Sequence, residues 1–378
     1  LSIAMMSGLM MSRVAKILKL PAVTAYLVAG ILIGPYVLGR IGVPGLGFIS
    51  PENVKEFSTF CDVALGFIAF DIGNEFRVSQ LKQIGRQATV IAFTQAVAAT
   101  VLVDAAMIGL HLLMPDQVSF SMALVLGAIA TATAPAATLM VVRQYKASGP
   151  LTRILLPIVA LDDAIGLVVF AVSCGVAMAL ESGSLSITSV LVEPVLEVVL
   201  SLLLGSFMGY LLTVAERFFD SNSRRLSIVI TYVLFTVALS QLKFEVAGVH
   251  IGFSSLLVCM MMGTIFCNIC DFSEDMMNRA SKWTAPLYVL FFVLSGAELE
   301  LGVFRNPAIV GIGITYIIFR SAGKCFGAYI GSVWMGCSAT IRKYLGITLL
   351  PQAGVALGMS MTVTQTMGET GRLIRNIT

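Results

Sequence analysis

Charged side chains are scarce in this chain of 378 residues. Asp, Glu, Lys and Arg make up 12% of it, whereas a soluble domain carries about 25%. Apolar residues make up 57%, and the mean hydropathy is +0.93. This composition excludes a water-soluble enzyme and a nucleic-acid binder. The net charge of +3 is too small to indicate an anionic partner.

Several signatures of soluble or catalytic domains are missing as well. No GxGxxG follows a strand pattern, and no Ser-, Gly- or Pro-rich run marks a linker, so the sequence contains no nucleotide-binding regulatory domain. An intramembrane aspartyl protease needs two aspartates that converge from different helices. This class is excluded because the GxGD motif is absent and the adjacent aspartates lie on a single helix, where their side chains diverge. We therefore predict neither an enzymatic activity nor a cofactor.

What the sequence has in abundance is apolar runs. A spanning helix needs about 20 residues, so the length accommodates about 12–13 transmembrane helices. Charged residues, glycine or proline separate twelve candidate helices. Residues 366–378 could lead into a thirteenth helix. The candidates are 1–18, 22–38, 57–74, 88–113, 118–141, 152–180, 190–214, 226–242, 250–267, 284–298, 307–336 and 345–363.

The positions of the basic residues support this assignment of transmembrane helices. Of the 24 Lys and Arg residues, sixteen lie in alternate loops, six lie in the opposite loops, and Arg320 and Lys324 lie within a helix. Because loops rich in Lys and Arg stay in the cytoplasm, the loop at residues 13–21 is predicted to be cytoplasmic and the N-terminus to be outside. The expected location is a bacterial inner membrane.

A short motif occurs twice with opposite orientation. Helix three ends with Gly73-x-Glu75-Phe76, and helix ten ends with Gly296-x-Glu298-Leu299. Copies seven helices apart face opposite sides of the membrane. This spacing predicts an inverted-topology repeat, which many secondary transporters share.

The adjacent pair Asp162 and Asp163 lies in the middle of LPIVALDDAIGLVVF. One carboxylate at a helix centre costs about 2.5–3.5 kcal/mol on insertion. Side chains of neighbouring helical residues point about 100° apart. We therefore predict that one carboxylate faces an ion cavity and the other faces a partner helix. The alternative is a buried structural ion pair.

Arg320 and Lys324 are the candidate counter-charges on helix eleven. Their i, i+4 spacing places them on one face. A buried lysine can lose its proton, whereas arginine in practice cannot. Lys324 is thus the better partner for a carboxylate that changes charge. Small residues at Gly323, Gly327 and Gly331 predict close approach of another helix.

Two helices carry residues that interrupt them. In ATATAPAAT, Pro135 lacks an N–H, and Thr131, Thr133 and Thr138 supply hydroxyl groups. This pattern predicts a broken helix whose freed carbonyls face an ion cavity; the alternative is a simple proline kink. The segment LLPQAGVALGM, with Pro351, Gln352 and Gly354, predicts a second break seven helices later.

Together these motifs resemble the monovalent cation/proton antiporters of the antiporter-2 branch. The resemblance covers the whole chain and rests on six segments: LKLPAVTAYLVAGILIGP, the Gly-x-Glu end of helix three, TATAPAAT, LDDAIG, RSAGK and LPQAGVALGM. It implies that Asp162 and Asp163 bind a monovalent cation or protons. It also implies that Lys324 pairs with Asp162 and that the break lies at Thr131–Thr133.

The resemblance also implies an architecture. The expected fold has a core domain with two crossed broken helices (about 88–180 and 307–378). A dimerisation or scaffold domain (about 1–74 and 226–298) and a linker helix (about 190–214) complete it. A homodimer in the lipid bilayer, working by an elevator-like motion in pH homeostasis, would exchange Na⁺ or K⁺ for H⁺. The alternative is a gated potassium efflux channel of the same family.

Two further acids depart from the family pattern. Asp71 stands in AFDIGNE where an apolar residue is common, and Asp104 lies mid-span on helix four. Each is expected to be a paired structural charge, to extend a proton path, or to reach the membrane interface or line water.

Overall fold

The computed structural model describes residues 1–18, 20, 22–43, 46–74, 76–134, 146–181, 193–219, 221–242, 244–246, 249–299, 301–352 and 355–378. Within this part of the chain the regular structure is helical apart from one short hairpin, with two 3₁₀ helices at Gly39–Ile41 and Leu301–Arg305, which confirms the predicted all-α class. The helices are α1 (Ser2–Ile17), α2 (Ala22–Ile33), α3 (Pro51–Lys55), α4 (Ser58–Asn74), α5 (Val78–Leu113), α6 (Phe120–Ile129), α7 (Pro150–Glu181), α8 (Glu193–Arg217), α9 (Asn222–Ser240), α10 (Ser255–Ile269), α11 (Ser273–Ala297), α12 (Pro307–Trp334), α13 (Ala339–Thr348), α14 (Val355–Thr366) and α15 (Gly368–Ile377).

Five of the described helices are long and apolar enough to cross a membrane. They are α5 from Gly85 onward, α7, α8 from Val195 onward, α9 and α12. Gly85 has a φ of 71°, so the chain kinks there and the apolar part of α5 starts at this residue. The other apolar helices are shorter than the 20-residue segments expected from the sequence.

The predicted helix over 22–38 is too long, since α2 ends at Ile33. Pro35 follows Gly34, and the residue before a proline is pushed out of the helical region. The freed carbonyl of Ile33 accepts a hydrogen bond from the backbone N–H of Phe48 at 2.8 Å. The loop after α2 therefore satisfies the end of that helix.

The predicted helix over 284–298 starts too late, since α11 begins at Ser273. Glu274 and Asp275 lie in its first turn, where carboxylates interact favourably with the positive helix end. Asp275 also pairs with Arg279 one turn later, at 2.7 Å. This charged first half lacks the apolar pattern on which the prediction relied.

The segment before α10 differs from the prediction because it forms a strand. The predicted helix over 250–267 includes residues that form a strand, and α10 starts only at Ser255. Strands β1 (Phe244–Val246) and β2 (Val249–Ile251) pair antiparallel, with Glu245 opposite His250.

The two predicted breaks occur at the proline-containing segments. Instead of running over 118–141, α6 ends at Ile129, and residues 130–134 are not α-helical. Pro135 and Thr138 lie outside the described residues. The predicted helix over 345–363 is divided into α13 and α14, with Pro351 and Gln352 between them.

The chain divides into two compact units. Unit 1 comprises Leu1–Asn74, Leu204–Ser240 and Val258–Gly302, and unit 2 comprises Glu75–Leu203, Gln241–Leu257 and Val303–Thr378. The expected core residues fall in unit 2, and the expected linker helix is divided between the units at residue 204. The roles of core and dimerisation domain remain predictions.

Within unit 1, the two glycines of the repeated motif make equivalent contacts. A Cβ on Gly73 of α4 would lie 2.2 Å from the Met260 carbonyl of α10, and one on Gly296 of α11 would lie 2.2 Å from the Leu27 carbonyl of α2. Each glycine thus lets its helix touch the backbone of a neighbour. The pairs α4–α10 and α11–α2 are related by the seven-helix shift of the inverted repeat.

Within unit 2, α12 packs closely along α5. A Cβ on Gly323 would lie 2.6 Å from Ala99 Cα, and one on Gly327 would lie 2.5 Å from Gln95 Cα. Gly331 lies against Thr94 in the same way. The three glycines therefore allow close helix packing and place the polar residues of α12 beside α5.

Candidate functional site

The centre of the site is an ion pair between α7 and α12 in unit 2. Lys324 Nζ lies 2.6 Å from Asp162 Oδ2, and both side chains are fully buried. The two residues are 162 positions apart, so the pair depends on the packing of both helices. Breaking a buried pair by removing one partner costs about 3–5 kcal/mol.

The ammonium group of Lys324 has a partner for each of its donors. It donates to Asp162 Oδ2, to Thr133 Oγ1 at 2.9 Å and to the backbone carbonyl of Thr131. A protonated lysine has three N–H bonds and no acceptor. The three contacts therefore fit the charged form of the side chain.

The carboxylate of Asp162 is surrounded by donors. Thr133 Oγ1 and Lys324 donate to Oδ2, and Gln95 Nε2 of α5 donates to Oδ1. Hydrogen bonds to the ionised form of an acid favour that form. The surroundings of Asp162 thus compensate a negative charge in the interior.

The two interrupted helices cross beside this pair. The backbone N–H of Ala134 donates to the Pro351 carbonyl at 2.9 Å, and Thr133 Oγ1 lies 3.4 Å from the Leu349 carbonyl. Residues 130–134 after α6 are therefore hydrogen-bonded to the segment between α13 and α14. An irregular backbone at membrane depth needs such internal partners.

Arg320 stabilises both sides of the crossing. Its guanidinium donates to the Leu350 carbonyl and to the Ala132 carbonyl, each at 2.7 Å. Both carbonyls follow the C-terminal end of a helix, where the helix dipole is negative. A rigid fork of donors on a permanently charged group suits two diverging acceptors.

Gln352 makes a further link across the crossing. Its amide Nε2 lies 3.0 Å from the Tyr316 hydroxyl and 3.4 Å from the Ile129 carbonyl at the end of α6. Tyr316, Arg320 and Lys324 follow one another at intervals of four residues. One face of α12 therefore supplies successive polar groups to the unwound segments.

The sequence-predicted residues are not all brought together. Thr131 offers its backbone oxygen to Lys324, whereas its hydroxyl donates back to Ala128 at 2.7 Å. Asp163 follows Asp162 in α7, and its side chain lies outside the described part of the structure. Its role rests on the sequence.

The two additional acids lie elsewhere. Asp71 is in unit 1, where the Tyr288 hydroxyl lies 3.4 Å from its carboxylate. Asp104 is on α5 in unit 2, and its Oδ1 would be 1.7 Å from a Cβ placed on Gly127. Neither acid is among the residues that bond to the Asp162–Lys324 pair.

Gln95 was missed by the sequence reasoning. It is a fully buried amide on an apolar helix, 67 residues before Asp162. The one amide side chain in FTQAVAATVLV is the available signal, since polar residues in spans commonly bond to another helix.

These features define a secondary transporter fold with inverted repeats, in which the non-helical residues after α6 cross the segment between α13 and α14. A model of the transmembrane sodium/hydrogen exchanger family matches residues 1–374, so the chain belongs to this family. Members are transporters, and the chain is accordingly an integral membrane protein.

Relatives and a solved structure agree with this assignment. The chain is 23% identical over 358 residues to the Na⁺/H⁺ antiporter NhaS4 of Synechocystis sp., covering 92% of this chain and 83% of that protein. It is also 23% identical over 346 residues to cation/H⁺ antiporter 17 of Arabidopsis thaliana, covering 88% of this chain but only 40% of that protein. The fold is similar to that of the sodium proton antiporter MjNhaP1 from Methanocaldococcus jannaschii, with a TM-score of 0.75, 17% identity and coverage of 100% and 94%.

Proposed function

We propose that this protein exchanges a monovalent cation, Na⁺ or K⁺, for protons by alternating access. The observation that carries the proposal is the fully buried Asp162–Lys324 pair, bonded to Thr131 and Thr133 where two helices unwind. Membrane-embedded charges of this kind mark ion pathways. Family membership agrees with this function.

Competition between the two ions provides the coupling. A deprotonated Asp163 would bind the dehydrated cation together with hydroxyl and carbonyl oxygens from the crossing. Protonation of the carboxylate would expel the cation. Because both ions use one site, each crossing of the membrane carries either the cation or protons, and a complete cycle exchanges one for the other.

The two compact units suggest a division of labour. Unit 2 contains the crossing, the ion pair and the expected core, so it is the unit that we propose moves with the ion. Unit 1 would form the scaffold and the homodimer interface, with α8 as the linker. We place the N-terminus outside and the loop at residues 13–21 in the cytoplasm, in a bacterial inner membrane.

We further propose that exchange is electrogenic. Two carboxylates and a lysine can release two protons for each monovalent cation bound, so about one net charge moves per cycle. Moving one charge through 100 mV corresponds to about 2.3 kcal/mol. A potential imposed with valinomycin should therefore accelerate or reverse the exchange.

The decisive experiment measures internal pH in proteoliposomes under an imposed gradient of each cation in turn. Asp163→Asn keeps the shape of the side chain and removes its titration, so cation-driven proton flux should vanish. Asp116→Asn is the matched control, because Asp116 is an exposed residue between α5 and α6. Near-normal exchange by the Asp163 variant would contradict the assignment. Flux without saturation or coupling to the pH gradient would favour the gated potassium channel.

A further inference from the structure

The polar face of α12 begins with a residue that carries no charge. Tyr316 lies one helical turn before Arg320, and only 1% of its surface is exposed. A buried tyrosine hydroxyl needs a hydrogen-bond partner, whereas phenylalanine would fill the same space without this requirement. Packing alone therefore does not explain why a tyrosine stands at this position.

The partner of this hydroxyl is the side chain of Gln352, in the segment between α13 and α14. Gln352 Nε2 donates to the Tyr316 hydroxyl at 3.0 Å, and the Ile129 carbonyl lies 3.4 Å from the same nitrogen. Because a carbonyl oxygen can only accept, Ile129 fixes Nε2 as the end of the amide that faces α6. One amide group thus connects the end of α6, the second interrupted segment and α12.

Tyr316 and Arg320 hold this segment at two different points. Residues four positions apart lie about 6 Å apart along a helix axis. Arg320 donates to the Leu350 carbonyl at 2.7 Å, and the Tyr316 hydroxyl accepts from Gln352. The segment between α13 and α14 is therefore tied to α12 on both sides of Pro351.

The carbonyl group of Pro351 joins the two interrupted segments. It accepts a hydrogen bond from the backbone N–H of Ala134 at 2.9 Å. Ties on either side of Pro351 restrict the direction in which this carbonyl points. Binding groups that are already ordered cost less to organise when an ion arrives than groups that must first be fixed in place.

We infer that Tyr316 is a positioning residue of the exchange site, which holds the segment around Pro351 in the arrangement that binds the cation. This inference rests on the proposed function. The role of Tyr316 depends on geometry and not on charge, since its hydroxyl bonds to a neutral amide. Without the hydroxyl, Arg320 and Lys324 still attach the crossing to α12, so cation binding should weaken while the movement of the crossing continues.

The test compares Tyr316→Phe, which keeps the ring and removes the hydroxyl, with Tyr329→Phe. Tyr329 provides the matched control because it is an exposed tyrosine on the same helix. Initial exchange rates in proteoliposomes are measured at one pH over a series of Na⁺ concentrations and, separately, of K⁺ concentrations. In Tyr316→Phe the KM for the cation that the parent exchanges should rise about threefold to tenfold, the range for losing one hydrogen bond between neutral groups. The maximal rate should stay close to that of the parent.

Gln352→Met identifies the partner through which Tyr316 acts. In this background Tyr316→Phe should not raise the KM further, because the hydrogen bond is already absent. A second rise in the double variant, or an unchanged KM in Tyr316→Phe alone, would overturn the inference. A lower maximal rate at unchanged KM would overturn it as well, since Tyr316 would then act on the movement of the crossing and not on binding.

Amide hydrogen exchange of the purified protein gives a readout independent of transport. The Ala134 amide, which bonds to the Pro351 carbonyl, should exchange faster in Tyr316→Phe than in the parent, and Tyr329→Phe should leave its rate unchanged. If the parent transports no cation, the proposed function fails, while the Ala134 amide still shows whether Tyr316 holds the crossing. Equal amide exchange in Tyr316→Phe and the parent would mean that it does not.

Discussion

Unit 2 contains two aspartates within its helices whose surroundings are opposite. Asp162 on α7 accepts hydrogen bonds from Gln95, Thr133 and Lys324. Asp104 on α5 has a buried Oδ1 for which the described residues offer no hydrogen-bond partner. A buried carboxylate oxygen without a donor disfavours the charged form of its acid. We therefore expect Asp162 to be charged and Asp104 to be neutral.

The difference shows that an acid within a span is not by itself an ion site. Asp162 lies where two helices unwind and where α12 supplies charged donors. Asp104 lies beside Gly127, within the intact helix α6. The comparison predicts that substitutions around Asp162 have large effects and that substitutions at Asp104 have small ones.

The largest effect is expected for Lys324→Ala. This change leaves Asp162 in the interior without its counter-charge, which should destabilise the protein by about 3–5 kcal/mol and abolish normal exchange. Thermal unfolding in detergent measures the stability, and proteoliposome flux measures the transport. The double variant Asp162→Asn/Lys324→Met removes both charges and should recover part of the lost stability.

A melting temperature and a transport rate equal to those of the parent would show that Lys324 has no role in the pair. If the double variant were as unstable as the sum of the single changes, the two residues would not be coupled.

Much of this site could be anticipated from the sequence because of the cost of charge in a membrane. Asp162 and Lys324 each require a partner, and the prolines at 135 and 351 mark interrupted helices. The all-α fold follows from the apolar runs. These signals are local and strong, so a single sequence suffices to detect them.

The remaining features depend on packing between distant segments. Gln95 has no charge, and only the close contact of α5 with α12 reveals its place beside Asp162. The hydroxyl of Thr131 turns back to α6 instead of facing the pair. The early start of α11 depends on charged residues, which the apolar pattern does not detect.

A medium effect is expected for Gly127→Ala. The new Cβ would lie 1.7 Å from Asp104 Oδ1 and 3.1 Å from the Thr100 carbonyl, so the carboxylate must move. Overpacking of this kind typically costs about 1–3 kcal/mol, which thermal unfolding would detect. Gly109→Ala is the control, because the space around Gly109 on α5 is open. It should be neutral or stabilising by up to about 1 kcal/mol.

The double variant Asp104→Ala/Gly127→Ala tests the cause. With the carboxylate removed, the alanine at position 127 should cost much less than in the parent. An equal cost in both backgrounds would mean that Asp104 does not lie against Gly127.

The smallest effect is expected for Asp104→Asn. If Asp104 is already neutral, exchanging its acid for an amide of the same size removes no charge and no ion pair. The change in stability should stay below about 1 kcal/mol, and cation-driven proton flux should continue. Asp162→Asn is the contrast, because it leaves Lys324 charged and buried without its partner, at a cost of about 3–5 kcal/mol. If Asp104→Asn abolished proton flux without changing the unfolding temperature, Asp104 would lie on the proton path. Asp104 and Asp162 would then act in different steps of the exchange, and the difference between them would not be one of charge.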